Sequence, residues 1–320
     1  MISRGRIAAV IAALLVLLAG GVMASWYGNV YLDRSLPSSS LKVVIPKGSS
    51  FTDIATLLQE RGVIANALAF RVLARVRRQD DQVKAGAYAF APHASEAEIL
   101  DQLVSGGAQI ATWVTIPEGF TARQIAQRLQ DQGVGRADAF ERAFRGHEGF
   151  LFPSTYLVPL AATPDQVTRM LTDQFARELP PDAAQRARAL KVSVPQAVTV
   201  ASLIEREAKI EPDRPLIAGV IYNRLRLGIP LQVDATIEYA LPEHKTELSF
   251  RDLQVNSPYN TYQHAGLPTT PISNPGLPSL EAALHPAKTD ALYYVYCGNG
   301  HHVFAKTLAE HQANVQRCIH

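Results

Sequence analysis

The sequence predicts an α+β chain in three parts: an N-terminal transmembrane helix, a small α+β module, and a larger, mainly helical domain with a small sheet. Three observations carry that prediction. The run Ile7–Trp26 holds 20 residues and no charge. A strand–turn–helix pattern occurs twice, 71 residues apart. Beyond Thr112 the apolar periodicity is almost wholly helical, with one clear strand near the C-terminus. The implied boundaries are a cytoplasmic tail at 1–6, an anchor at 7–27, a linker at 28–41, a module at 42–110 and a main domain at 111–320.

Taken in order, the anchor comes first. As a helix, its 20 apolar residues would cross a hydrocarbon core of ~30 Å. Arg4 and Arg6 before it and Asp33 after it favour an N-inside orientation with the rest of the chain exported. Trp26, Tyr27 and Tyr31 would stand at the outer interface. A cleaved signal peptide, with Val22-Met23-Ala24 as its cleavage site, is the competing reading. The apolar run exceeds the ~7–15 residues of an ordinary signal core, which favours retention. Leu36-Pro37-Ser38-Ser39-Ser40 reads as linker.

The repeat follows. Between 43–63 and 114–134, 10 of 21 positions agree without a gap, including Ile-Pro-x-Gly (Ile45–Gly48, Ile116–Gly119). Each copy reads as a short strand, a Pro/Gly turn and an amphipathic helix. Ile54, Leu57 and Leu58 share one face in the first copy, Ile125 and Leu129 in the second. Gly62 and Gly133 fit helix ends. A helix over 67–78, a returning strand over 84–90 and a helix from Ser95 to about Val104 complete the first module. Its strand–helix–helix–strand order, opened by Val43-Val44-Ile45-Pro46-Lys47-Gly48, resembles the LysM fold, a peptidoglycan-binding module.

In the main domain, helices are predicted at 121–132, 137–145, 164–178, 183–190, 194–209 and 213–227. An aromatic loop lies at 148–156, a loop-rich stretch at 242–279, a strand at 292–296 and a helix at 308–317. The helix at 194–209 is the most telling. Ser193 and Gln196 form a capping-box pattern, and Ala197–Ile204 is apolar on nearly every side, as in a helix buried all round. It then delivers Glu205, Arg206 and Glu207. At 100° per residue the two glutamates point roughly opposite ways. A carboxyl at a cleft wall has its pKa raised by desolvation and can donate a proton to a leaving oxygen. The plainer reading is a helix emerging into water. Downstream, Gln232, Asp234 and Thr236 alternate with apolar residues, and Asn260, Thr261 and Tyr262 sit in a Pro/Gly-rich loop. Amides, hydroxyls and a tyrosine ring suit sugar hydroxyls and ring faces.

Composition excludes other classes. A net charge of +2 and no basic run leave nothing for nucleic acid. No G-x-S-x-G, P-loop or G-x-G-x-x-G is present. His285, His301, His302 and His311 lack metal-ligand spacing and read as surface or supporting groups, so no metal and no cofactor is expected. Cys297 and Cys318 form no CxxC, and the sequence leaves their pairing open.

Several segments, in order, resemble the YceG-like family of endolytic murein transglycosylases. They are Glu148–Tyr156, Ala201-Ser202-Leu203-Ile204-Glu205-Arg206-Glu207, Ala218–Arg226, Leu231-Gln232-Val233-Asp234-Ala235-Thr236, Tyr259–Tyr262, Gly266-Leu267-Pro268, Pro271–Gly276, Ala282–Ala287, and His302-Val303-Phe304 through Ala309-Glu310-His311. The resemblance implies cleavage of the β-1,4 bond between N-acetylmuramic acid and N-acetylglucosamine, leaving a 1,6-anhydromuramyl end. Read onto this chain, it makes Glu205, the first glutamate of the pair, the acid/base, and Glu207 not. It also implies peptidoglycan glycan strands as substrate, an inner-membrane location with the domain in the periplasm, and cell-wall synthases as neighbours. Ala235 replaces a usual proline, and the loop at 242–254 is short. A non-catalytic, membrane-bound peptidoglycan scaffold is the alternative from another class.

Overall fold

The structure, a computed structural model, describes Gly20, Gly21, Gly28 and residues 41–318 apart from Lys47, His93, 107–109, His244, 246–247 and Asn299. The expected anchor and linker therefore lie almost wholly outside the described residues. Among those described, no helix is long and apolar enough to cross a membrane. Twelve α-helices and three two-stranded sheets are present among them, so the α+β class holds. The chain divides into two compact units: residues up to Thr112 with Val158–Ala162, and Trp113–Leu157 with Thr163 onward.

The first unit runs β1 (Leu41–Ile45), α1 (Phe51–Glu60), α2 (Ala67–Val76), β2 (Gly86–Phe90) and α3 (Glu96–Ser105). β1 and β2 are antiparallel, Leu41 opposite Phe90 and Ile45 opposite Gly86. Alternation along β1 sends Val43 and Ile45 inward. They meet Ile54, Leu58, Phe70, Leu73, Tyr88, Phe90 and Leu103 in one core. The strand–helix–helix–strand order expected from sequence is present, with α3 added after it.

The second unit carries the rest. β3 (Ala111–Thr115) pairs with β4 (Thr155–Pro159), which takes up the end of the expected aromatic loop; Ala111, Thr112, Val158 and Pro159 count with the first unit. α4 (Ala122–Asp131) repeats α1 in length and capping. Ser50 with Asp53 and Thr121 with Gln124 each form a capping box, and Gly62 and Gly133 follow the helices at φ +71° and +77°. Both copies are thus strand–turn–helix. α5 (Ala137–Ala143), α6 (Pro164–Glu178) and α7 (Ala183–Ala189) lead to α8 (Val194–Glu207). Every residue of α8 from Ala197 to Ile204 is buried. Its apolar faces pack against α9 (Arg214–Leu227), α10 (Asp234–Ala240) and α11 (Leu277–Leu284). The antiparallel hairpin β5 (Tyr293–Tyr296)–β6 (His302–Ala305) and α12 (Leu308–Cys318) close the chain. A Cys297–Cys318 disulfide ties α12 to the hairpin.

β4, α10, α11 and β6 were not expected. α10 is seven residues long between Pro230 and Pro242, too short to show a helical period. α11 starts on Leu277-Pro278, where the proline that reads as loop is a first-turn residue.

Candidate active site

The end of α8 is where the helix stops being buried, and Glu205 and Glu207 leave it toward different neighbourhoods. Glu205 Oε2 accepts from the Gly276 N–H at 3.0 Å, and Oε1 faces Arg214 Nη2 at 3.4 Å. Only 7% of its side chain is exposed. Arg214 Nε in turn donates to Ser279 Oγ at 3.0 Å. Glu118, on the turn after β3, adjoins the same group. Burial pushes its carboxyl up, the Glu205 charge adds to that, and Arg214 opposes it. Gly276 is confined here: a Cβ would lie 1.9 Å from Glu118 Oε1.

Glu207 meets a different set. Tyr294 donates its hydroxyl to Glu207 Oε2 at 3.0 Å. Burial nonetheless pushes the Glu207 carboxyl up to about 7, with the Asp234 charge adding to it and the Tyr294 hydrogen bond opposing. Asp234 accepts from the Tyr262 hydroxyl. Gln232 Oε1 accepts from Arg224 Nη2 at 2.5 Å. Arg224 also donates to the Pro230 and Leu292 carbonyls and lies over the Tyr293 ring, 5.3 Å from its centre. Burial pushes the Tyr262 and Tyr294 hydroxyls up, so both stay protonated donors. The structure thus gathers Gln232, Asp234 and Tyr262 on the Glu207 side of α8.

Thr236, Asn260 and Thr261, expected among the sugar-binding residues, are all buried and bond to their own loop. Thr236 donates to the Val233 carbonyl at 2.7 Å and shares a 2.9 Å hydrogen bond with Thr261, which also accepts from the Val233 N–H at 3.0 Å. Asn260 donates to the Leu253 and Val255 carbonyls and accepts from the Tyr262 N–H. Buried polar atoms need partners, and these residues supply them to their own loop. That loop is what holds the exposed Gln232, at φ +56°, and Tyr262 in place.

Two features went unread in the sequence. Glu148 accepts from Ala122 N–H at 3.0 Å, Asn274 Nδ2 at 2.8 Å and Tyr239 hydroxyl at 3.2 Å, while burial pushes it up to about 7. Asn274 Oδ1 takes the Gly149 and Leu151 N–H groups, making this a hub that fixes the aromatic loop. Nothing in the local pattern marks such long-range pairs. The second is the partner of His302, a histidine read as a surface or supporting group and found buried. Its Nδ1 lies 2.9 Å from Asp213 Oδ2, with 4% of the side chain exposed. Among the described residues no group of three His, Cys, Asp or Glu could hold a metal. Finally, a cleft of about 1320 Å³ opens on the Thr199–Arg206 face of α8; neither Glu205 nor Glu207 lines it.

Carboxylates at the end of a buried helix, with guanidinium, amide and tyrosine hydroxyl groups around them, make up the candidate site. The chain belongs to the YceG-like family, whose match extends over residues 43–317. It is 34% identical to the endolytic murein transglycosylase of Bacillus subtilis (strain 168) over 336 residues, 95% of this chain and 91% of that protein. It is 30% identical to the endolytic murein transglycosylase of Streptococcus pneumoniae serotype 2 (strain D39 / NCTC 7466), covering 97% of this chain and 65% of that longer protein. A crystal structure of a YceG-like protein from Listeria monocytogenes, 34% identical, superposes with a TM-score of 0.58 over 86% of this chain and 98% of that one.

Proposed function

We propose that this chain is an endolytic lytic transglycosylase of peptidoglycan, and that Glu207, rather than the expected Glu205, is its acid/base. The observation that carries the assignment is the company each glutamate keeps. Both Glu205 oxygens face donors in a closed pocket. Glu207 has a carboxyl poised near neutral pH and stands with the exposed Asp234 and Gln232 and the half-buried Tyr262, polar groups suited to a sugar. A general acid works best when its pKa lies near the operating pH.

The reaction then needs one titrating group. Protonated Glu207 gives its proton to the glycosidic oxygen, and the bond from that oxygen to C1 of the muramic acid breaks. Positive charge grows at C1, and the Asp234 carboxylate nearby favours it. The Glu207 carboxylate next takes the proton of the C6 hydroxyl, whose oxygen bonds to C1. The product is a 1,6-anhydro ring, the acid is regenerated, and no water is consumed. A hydrolase would need a second carboxylate as base or nucleophile.

The same reading places the chain in the inner membrane, anchored over 7–27, with both units in the periplasm beside cell-wall synthases. The Cys297–Cys318 disulfide supports this, since such bonds persist in oxidising compartments. The 42–110 module is read as LysM-like on its strand–helix–helix–strand order. Mass spectrometry of peptidoglycan after incubation with wild type, Glu207→Gln and Glu205→Gln proteins tests the proposal. Wild type should yield internal cuts with anhydro ends. Hydrated reducing ends, or no cuts from active preparations, would overturn it.

A further inference from the structure

The cleft on the far side of α8 has no part in the chemistry above, yet it adjoins the site. α10 connects them. Its first residue, Asp234, stands in the Glu207 cluster, while Ala235, Glu238 and Tyr239 line the cleft. Seven residues of helix span about 10 Å. Between the two regions stands an ion pair, Arg206 Nη2 to Glu238 Oε2 at 2.9 Å. Arg206 lines the cleft, and the Glu238 charge is felt at Glu207.

The cleft is mixed in character. Tyr239 and Tyr259 meet ring edge to ring face, their centres 4.9 Å apart. Arg123 and Arg145 also line it, both exposed, and neither has an ion-pair or hydrogen-bond partner among the described residues. Glu141, Glu148 and Glu238 bring opposite charge to the same walls. Glu148 is held by its own donors and Glu238 by Arg206, which leaves Arg123, Arg145 and Glu141 without partners among the described residues, a net positive charge on these walls. A glycan backbone with peptides attached is neutral and offers them nothing. The short peptide on each muramic acid does, because it ends in free carboxylates. Three extended residues reach about 10 Å, the length of α10.

We propose that this cleft receives the acidic stem peptide of the muramic acid at the scissile bond, with Arg123 and Arg145 meeting its carboxylates and Tyr239 and Tyr259 its aliphatic carbons. The inference rests on the Glu207 reading for its placement. It makes the enzyme a reader of peptide as well as sugar.

Two measurements on the full-length protein test it. In the first, the tripeptide L-Ala-γ-D-Glu-diaminopimelate is titrated against wild type and the Arg123→Ala/Arg145→Ala double variant. Binding should weaken about three- to tenfold in the variant, as the loss of two exposed charge contacts implies. Arg123→Lys/Arg145→Lys should recover most of it, and thermal unfolding should show all variants folded. In the second, kcat/KM is compared on peptide-bearing strands and on strands stripped of peptide by an amidase. The ratio of the two should fall by a similar factor in the alanine variant. Absence of saturable tripeptide binding to wild type, or equal binding by wild type and variant, overturns the proposal. So does an unchanged ratio; if both rates fall together, the cleft holds sugar instead. Should wild type cleave neither substrate while the tripeptide result holds, the function reading fails and the cleft assignment stands.

Discussion

Glu205 and Glu207 stand two residues apart on one helix and meet opposite surroundings. On one side Glu205 faces Arg214, the Gly276 N–H and a second carboxyl, Glu118. On the other, Tyr294, Asp234 and Tyr262 surround a carboxyl that burial has driven up to about 7. Two equal side chains therefore have different surroundings, and at Glu207 desolvation outweighs the donor it meets. A motif with two glutamates does not say which is the acid; the partners each finds in three dimensions do.

The sharpest way to break this comparison is to remove each proton in turn. Glu207→Gln should lower turnover by at least ~10²–10⁴-fold, the usual contribution of general acid–base catalysis. Glu205→Gln should keep most of its turnover wherever it remains folded. Counting anhydro-ended fragments per enzyme checks both. The reverse ranking would return the role to Glu205.

Stability should rank the other way. Glu205→Gln removes from Arg214, whose side chain is 13% exposed, its paired carboxylate and leaves only the neighbouring Glu118. A loss of about 1–3 kcal/mol is expected, within the range for unpaired buried groups. Chemical denaturation at pH 7 measures it. Equal stability would mean that the 3.4 Å contact contributes little and that Gly276 alone holds this side chain.

How much of this was legible from the chain depends on the range of the interactions. The repeat could be read because its caps, glycines and helix face are all local, and α4 matches α1 down to the capping box. α8 was legible for the same reason. The unread parts depend on distant partners. Glu148 is explained by Asn274, and Glu207 by Tyr294, 126 and 87 residues away. Thr236, Asn260 and Thr261 were legible as polar loop residues, but their burial was not. Polar residue types suit a ligand and a loop backbone equally well, and only burial separates the two uses.

The pH dependence of stability gives a finer test. A carboxyl raised from about 4.5 to about 7 on folding favours the folded state fully below the unfolded value. That advantage is lost as pH rises through the folded value. Wild type should therefore weaken between about pH 5 and 8 relative to Glu207→Gln, whose amide does not titrate. The gap should reach about 1–3 kcal/mol at pH 8, since one pKa unit is ~1.4 kcal/mol. Glu148 is raised to about the same value and contributes in both proteins, so it cancels in the difference. Parallel stability curves across this range would remove the case for a buried, neutral Glu207.

Tyr294→Phe should have the smallest effect and probes the site without touching the acid. The Tyr294 hydroxyl donates to Glu207 Oε2 at 3.0 Å and opposes the rise of its pKa. A phenyl ring keeps the packing against His302 and Phe304 but removes that donor. The Glu207 carboxyl should then titrate higher. Because the acid must be protonated to cleave, the alkaline limb of kcat/KM should move upward in pH, by about half a unit to one unit for a hydrogen bond worth ~1 kcal/mol. At pH 7 the rate should change only a few-fold. The sign is diagnostic. A donor to Glu207 must hold the pKa down, so its removal has to shift the limb toward alkali. A limb that moves toward acid, or stays in place while the rate collapses, would mean that Tyr294 touches the substrate itself and that the titrating acid lies elsewhere.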